Sequence, residues 1–420
     1  MGDIPEMRLG TCAVLPCLVA AGCGFHTSAG AATDDAAAGN PSDGAPPVGD
    51  AALPGPDAAP PSPDACVSFA ALLVLDTCQL TFGDDLVIQS KAQNKTAVYD
   101  TGTHILTVDG ASVPVTHTTI TIGGDAADVI SARTVTLAGS TTLRAVGLLP
   151  LVIVASTDIV MGENAQIDVS NGGAGAQSSC GGGAQPGAPD TGGAAGGGGG
   201  GYGADGGKGG NGNSDGGAGP AGSAVGGAKG RAIAAVPSGL RGGCPGASGG
   251  KGDDSGGAGG KAGGGLYLVA ARRIDLGSNA VLNAGGGPGR GSVYTSEGGE
   301  NGDAGGGGGG TGGMLALEAP HIVGLTATIA ANGGGGGGGG DSAVAGSDGS
   351  PGTLTMARAS GGGGGGSGIP GGKGGSKASP AGEDVTRVDL SGGGGGGGSV
   401  GIIRIKSADL QLGVISPEPR

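Results

Sequence analysis

Seven cysteines are the residues of this chain with the most chemistry open to them. Cys12, Cys17 and Cys23 sit in an apolar N-terminal stretch with the layout of a secretory signal, leaving Cys66, Cys78, Cys180 and Cys244 in the exported part. An even remainder in an oxidising compartment favours two disulfides, and Cys66–Cys78 with Cys180–Cys244 is the simplest of three connectivities. Zinc is the rival use, but no cysteine pair has CxxC spacing and His26, His104, His117 and His321 are scattered, so no metal site is expected. Asp205, Asp215, Asp253, Asp254, Asp303 and Asp341 lie among glycines, as carboxylates do in calcium-binding β-rolls. The tandem nonapeptide of such rolls is missing, so these aspartates read as solvated charge and calcium is only a weak alternative to no cofactor at all.

Catalytic signatures fare no better. GxGxxG matches arise by chance in a chain this rich in glycine, GxxxxGK[ST] is absent, and GxSxG-like matches lack the strand-to-helix elbow that exposes a nucleophile. Asp168, Asp275, Asn283 and Arg144 fall at outward positions of strands, where β-helical polysaccharide lyases and hydrolases keep their acids and bases. They form no evident acid/base pair, and the chain is read as non-enzymatic, with a polysaccharide-active enzyme as the alternative.

Residues 7–23, MRLGTCAVLPCLVAAGC, run from a basic residue through a short apolar stretch to small residues before a cysteine. MGDIPE before them is acidic, wrong for the start of a signal, so Met7 is the expected start. The ending Val19-Ala20-Ala21-Gly22-Cys23 resembles the lipobox of bacterial lipoproteins. That resemblance implies cleavage before Cys23, a diacylglyceryl group on its thiol and firm attachment to a membrane by several acyl chains. Gly24 is not the Asp that signals inner-membrane retention in the enteric version, which points to the outer membrane.

Residues 24–65 are Ala, Pro, Asp, Gly and Ser with almost nothing to bury, the composition of a disordered tether. The net charge of −14 argues against nucleic acid as a partner, because phosphates reward clustered Lys and Arg. Glycine (109) and proline (24) make up roughly a third of 420 residues, which alone would suggest low complexity throughout. Against that, apolar residues are gathered in alternating blocks between the glycine tracts. With no Trp and few Phe or Tyr, the core they build must be aliphatic.

Those blocks repeat. LVIVASTDIVMGENAQIDVSNGG at 151–173 and LYLVAARRIDLGSNAVLNAGG at 266–286 align without a gap, setting Ile159 over Ile274, Met161 over Leu276, Asn164 over Asn279 and Ile167 over Leu282. RTVTLAGSTTLRAVG at 133–147 adds Val135 and Leu143 to the same columns, and further copies follow at 314–334 and 402–416. Period-two alternation turns Ile274, Leu276 and Leu282 inward and Asp275 and Asn283 outward. A repeat of this size cannot bury its apolar face alone and must stack on its neighbours. The expected fold is all-β: a parallel β-helix-like solenoid over 132–420 with glycine-rich inserts at about 171–264, 285–313 and 333–399, preceded by an N-terminal β region or cap at 66–131. A β-sandwich of the same strands is the alternative.

The inserts leave at the same point of successive repeats and should emerge on one side. Within them glycine recurs every third residue at Gly203, Gly206, Gly209 and Gly212, the spacing close-packed polyproline II strands need. The uninterrupted runs 333–340 and 392–398 have no such period and read as flexible linker.

The order of lipobox, Ala/Pro/Asp tether, TTLRAVGLLPLVIVAS, IDVSNGGAGAQ and alternating glycine tracts with apolar repeats resembles the glycine-rich surface lipoproteins of the myxobacterial type. This resemblance implies an architecture and no catalytic residue. The expected function is that of an exported, membrane-anchored surface lipoprotein, structural or adhesive at the cell envelope. Envelope or extracellular glycans are the partners considered, and an ion- or ligand-binding surface module is a further alternative.

Overall fold

The structure, a computed structural model, describes residues 72–420 apart from 74, 93–95, 191, 214–220, 295–302, 342–343 and 388–390. The lipobox with Cys23, the tether at 24–65 and Cys66 lie outside the described residues. The fold is all-β. Among the described residues the helical content is one 3-10 turn, Thr77–Gln79.

Two sheets carry the apolar repeats. A six-stranded sheet lines up Ile402–Lys406, Met314–Glu318, Gly265–Ala270, Leu151–Ala155 and Asp125–Ala132, all parallel, and ends on the antiparallel His117–Ile122. The twelve-stranded sheet holds the other half of each repeat, including Val135–Leu137, Asp158–Met161, Arg273–Leu276 and His321–Ala330. Its pairing register is the alignment of the repeats. Ile159 pairs with Val135 on one side and Ile274 on the other, Ile274 pairs with Ile322, and Ile167 pairs with Leu143 and Leu282. Aliphatic side chains therefore stack column on column, which the short supply of aromatics requires.

Alternation decides which face each column serves. Ile274, Leu276 and Leu282 are buried between the two sheets with Leu151, Ile153 and Leu268, while Asp275 and Asn283 stand partly exposed on the outer face. The six-stranded sheet is buried on both sides, so LVIVA and GLYLVA read as continuous apolar runs instead of alternating ones. Its second face packs Val152, Tyr267 and Val269 against Tyr202, Leu240 and Cys244 from the glycine-rich segments.

The described parts of the glycine-rich inserts are ordered, and this overturns the reading of runs 333–340 and 392–398 as flexible linker. Their described residues run as extended chains gathered in one bundle, in which 192–203, 303–313, 333–340 and 391–400 are buried throughout. The extended segment 303–313 shows the bonding rule. Its amides donate in rotation: Gly305 and Gly308 to Gly250 and Ala247, Gly306 and Gly309 to Gly393 and Gly396, Gly307 and Gly310 to Arg290 and Gly287. It accepts from three other chains, through Gly197 and Gly200, Gly257 and Gly260, and Gly334 and Gly337. Three residues per turn send successive amides in three directions, as expected of a polyproline II backbone, and six neighbours surround the chain.

Space, not backbone torsion, demands glycine here. No glycine in 305–313, 333–340 or 392–398 has a left-handed φ. A Cβ added at Gly308, Gly336 or Gly396 would stand under 3.0 Å from the carbonyl oxygen of Gly198, Gly395 or Gly207. The hydrogen in that direction instead meets the oxygen as a weak Cα–H···O contact. The bundle has almost no side chains to bury, so it is held by saturated backbone hydrogen bonding, each bond contributing about 1 kcal/mol net against the large chain entropy of glycine.

Candidate functional site

The disulfide Cys180–Cys244 forms as expected, with its Cα atoms 5.8 Å apart. It ties the first insert to itself beneath the six-stranded sheet, where Cys244 packs in the second core. Cys78 is also held in a disulfide.

Two of the aspartates considered for calcium, Asp205 and Asp341, are engaged by the chain itself. The Asp205 carboxylate accepts from the Ala232 amide at 2.8 Å and pairs with Lys229 at 3.3 Å. These bonds hold its carboxyl below the usual carboxylate range, the Ala232 amide contributing most. Asp341 accepts from the amide and hydroxyl of Ser367 at 2.8 and 2.6 Å. Asp348, which the sequence did not single out, accepts from the Gly291 amide and pairs with Arg290. Carboxylates at the rim of the bundle thus take up amides where a glycine chain turns or ends. Asp253 lies beside Asp190 and Lys251 in a shallow depression, Asp254 and Asp303 are buried, and Asp215 lies outside the described residues.

The outward polar positions of the repeats do not assemble an acid/base pair. Arg144 donates to Asp168 at 2.6 Å and to the Ser170 carbonyl at 2.6 Å, bracing the point where the first insert leaves the sheet. Asn283 accepts from the Gly285 amide in the same place one repeat on. Along the twelve-stranded sheet, Asp158, Arg272, Arg273, Asp275, His321 and Asp409 line an open groove. Asp158 pairs with Arg272, Asp275 with Arg273 at 2.9 Å, and Asp409 with His321 at 3.6 Å. Asp158 holds the Arg272 guanidinium above its ordinary range. Each carboxylate of the groove thus stands beside a basic side chain on the same outer face.

One constellation escaped the sequence. Two of the four histidines, read as scattered, meet at the N-terminal end of the sheets: His104 and His117 stack with ring centroids 4.4 Å apart and planes 11° from parallel. His104 sits in the turn after Thr96–Asp100, at φ 60°, and His117 opens the strand His117–Ile122. Both face Asp128, which is fully buried on the side of its strand shared with Ile130 and Ala132. His104 Nδ1 lies 3.1 Å and His117 Nδ1 3.9 Å from Asp128 Oδ1. The closer pair faces without hydrogen-bond alignment, so His104 Nδ1 and Asp128 Oδ1 are both buried and unbonded. The other oxygen, Oδ2, accepts from the Tyr99 hydroxyl at 2.6 Å. Burial, and then that bond to Asp128, pushes the Tyr99 phenol far above its ordinary range.

A signal for half of this cluster is present in HTTITIGGDAAD. A hairpin turning at Gly123 and Gly124 pairs His117 with Ile130 and Thr119 with Asp128, which puts His117 and Asp128 diagonally opposite. His104 arrives from the other sheet, and no local pattern announces it. Comparison with protein-family models, with curated proteins and with solved structures gives no match.

Proposed function

We propose that this chain is an exported lipoprotein, anchored through Cys23, whose β-solenoid of stacked repeats displays a rigid glycine bundle in a structural or adhesive role at the cell envelope. The observation that carries this reading is the six-neighbour hydrogen bonding around 303–313. A body cross-linked by backbone bonds in three directions is stiff, and it suits load-bearing or display. The solenoid reading is supported by the in-register parallel pairing of Val135, Ile159, Ile274 and Ile322 across successive repeats. Anchorage rests on the lipobox-like Val19-Ala20-Ala21-Gly22-Cys23, and the tether at 24–65 would carry the folded part away from the membrane.

Labelled palmitate fed to expressing cells tests the anchor: incorporation is expected in the wild type and is lost in Cys23→Ala, and an unlabelled wild type would sink it. The charged groove favours a second reading within the same role. Its Asp158, Arg273, His321 and Asp409 stand in register on four successive strands about 4.8 Å apart, a row that could grip an extended polar polymer such as an envelope glycan. A glycan array with the exported chain, followed by a reducing-sugar assay on any glycan bound, separates the readings. Binding without turnover supports adhesion, and release of reducing ends would make the chain an enzyme instead.

A further inference from the structure

We propose that His104, His117 and Asp128 form a binding site for a divalent transition-metal ion of the zinc class. Their ligand atoms lie within 4.8 Å of one another. Tetrahedral zinc with bonds of about 2.0–2.1 Å keeps its ligands about 3.3 Å apart, so His104 Nδ1 and Asp128 Oδ1, at 3.1 Å, already span one edge. His117 Nδ1, at 3.9 Å, reaches a second edge when its ring, 38% exposed, turns out of its stack on His104.

Three further observations point to an ion. Asp128 Oδ1 and His104 Nδ1 are buried and lack a hydrogen bond, although each can reach the space they share. A buried polar atom without a partner is costly, and a cation in that shared space gives both atoms one. The His104 and His117 rings stack with centroids 4.4 Å apart, which brings both Nδ1 atoms to the same carboxylate oxygen. Finally, Tyr99 grips Asp128 Oδ2 at 2.6 Å, the outer-shell hold that orients a ligating carboxylate and leaves its other oxygen for the metal.

Two histidines and one carboxylate leave at least one coordination position, and the partly exposed rings open it to water or to a ligand donor from outside. Because His104 follows a strand of the twelve-stranded sheet and His117 and Asp128 belong to the six-stranded one, a bound ion also cross-links the sheets.

The test is equilibrium dialysis of the untagged exported chain against Zn²⁺, with Co²⁺ as spectroscopic substitute. One equivalent of Zn²⁺ and visible d–d absorption of bound Co²⁺ are expected, with a higher melting temperature that chelator reverses. His117→Ala and His104→Asn, the latter keeping a residue tolerant of left-handed φ, should each abolish the Co²⁺ bands. Tyr99→Phe should weaken binding by about tenfold. His321→Ala, outside the cluster, should leave Zn²⁺ uptake and the Co²⁺ bands as in the wild type. The site is overturned if the folded wild type takes up no stoichiometric Zn²⁺, or if uptake and bands persist in both histidine variants. Circular dichroism identifies any variant that has failed to fold, and His117→Ala, at a half-exposed position, then carries the decision.

Discussion

Asn279 stands one repeat beyond Asn164 and donates from its Nδ2 to the Oδ1 of Asn164 at 3.4 Å, both residues holding left-handed backbone at φ 57° and 53°. Each occupies the corner between two strands of a repeat, after Gly277 and Gly162. Left-handed φ costs an ordinary L-residue roughly 1–2 kcal/mol, and asparagine bears it more easily because its short amide bonds locally. The repeat thus keeps asparagine for its torsion and gains a side-chain ladder as well.

Asn279→Ala should therefore lose about 1 kcal/mol in urea unfolding, while Asn279→Gly should stay within a few tenths of wild type. If torsion is the reason for asparagine here, alanine is the worse substitute; equal losses would assign the residue to the ladder instead.

Glycine positions in the bundle should divide by space. Gly336→Ala and Gly396→Ala would press a methyl group onto a neighbouring carbonyl and should cost on the order of 3 kcal/mol or more, visible as a lower melting temperature and faster amide exchange in the bundle. At Gly363 the nearest atom to an added Cβ is the Ser347 hydroxyl at 4.0 Å, so Gly363→Ala should be neutral or slightly stabilising. Similar behaviour of all three would refute the close packing of these chains.

Removing the disulfide by Cys180→Ser with Cys244→Ser reopens a loop of 64 residues. Loop-closure entropy puts the loss at about 4 kcal/mol. Denaturant titration of oxidised, reduced and doubly substituted protein measures it, and coincident curves would show that the insert needs no tie.

Asp205 makes the acid side of the stability curve testable. Its carboxyl is held below the unfolded value of about 3.9 by the Ala232 amide and Lys229. A depressed folded pKa contributes stability that is present above the unfolded value and lost as pH falls through the folded one. Asp205→Asn should consequently destabilise more at neutral pH than near pH 2. Carboxyl carbon shifts followed by NMR should place the Asp205 midpoint below that of an ordinary aspartate, and an ordinary midpoint would remove it as a turn-holding anion.

Much of the sheet architecture was legible because stacking repeats leave a trace at every column. Setting Ile159 over Ile274 and Ile167 over Leu282 reproduces the strand register, since only one register keeps these side chains inside. Cys180–Cys244 was reachable by counting thiols. The runs 333–340 and 392–398 were not, for a physical reason: a three-residue helix shows its period only where glycine alternates with other residues. On the bundle's interior every direction is crowded, so every position is glycine and the period vanishes from the sequence. The histidine cluster was hidden by distance, since Tyr99, His104, His117 and Asp128 meet only once two antiparallel hairpins close the N-terminal end of both sheets.

The rotation of amides along 303–313 also restricts how such a chain can change its length. One extra glycine in an outgoing leg would turn every later amide by about 120° and aim each donor at the wrong neighbour. Insertions that preserve the bonding must come as three residues out and three back. The tracts that look most permissive of slippage in the gene are the ones whose reading of length, counted in threes, the folded protein enforces.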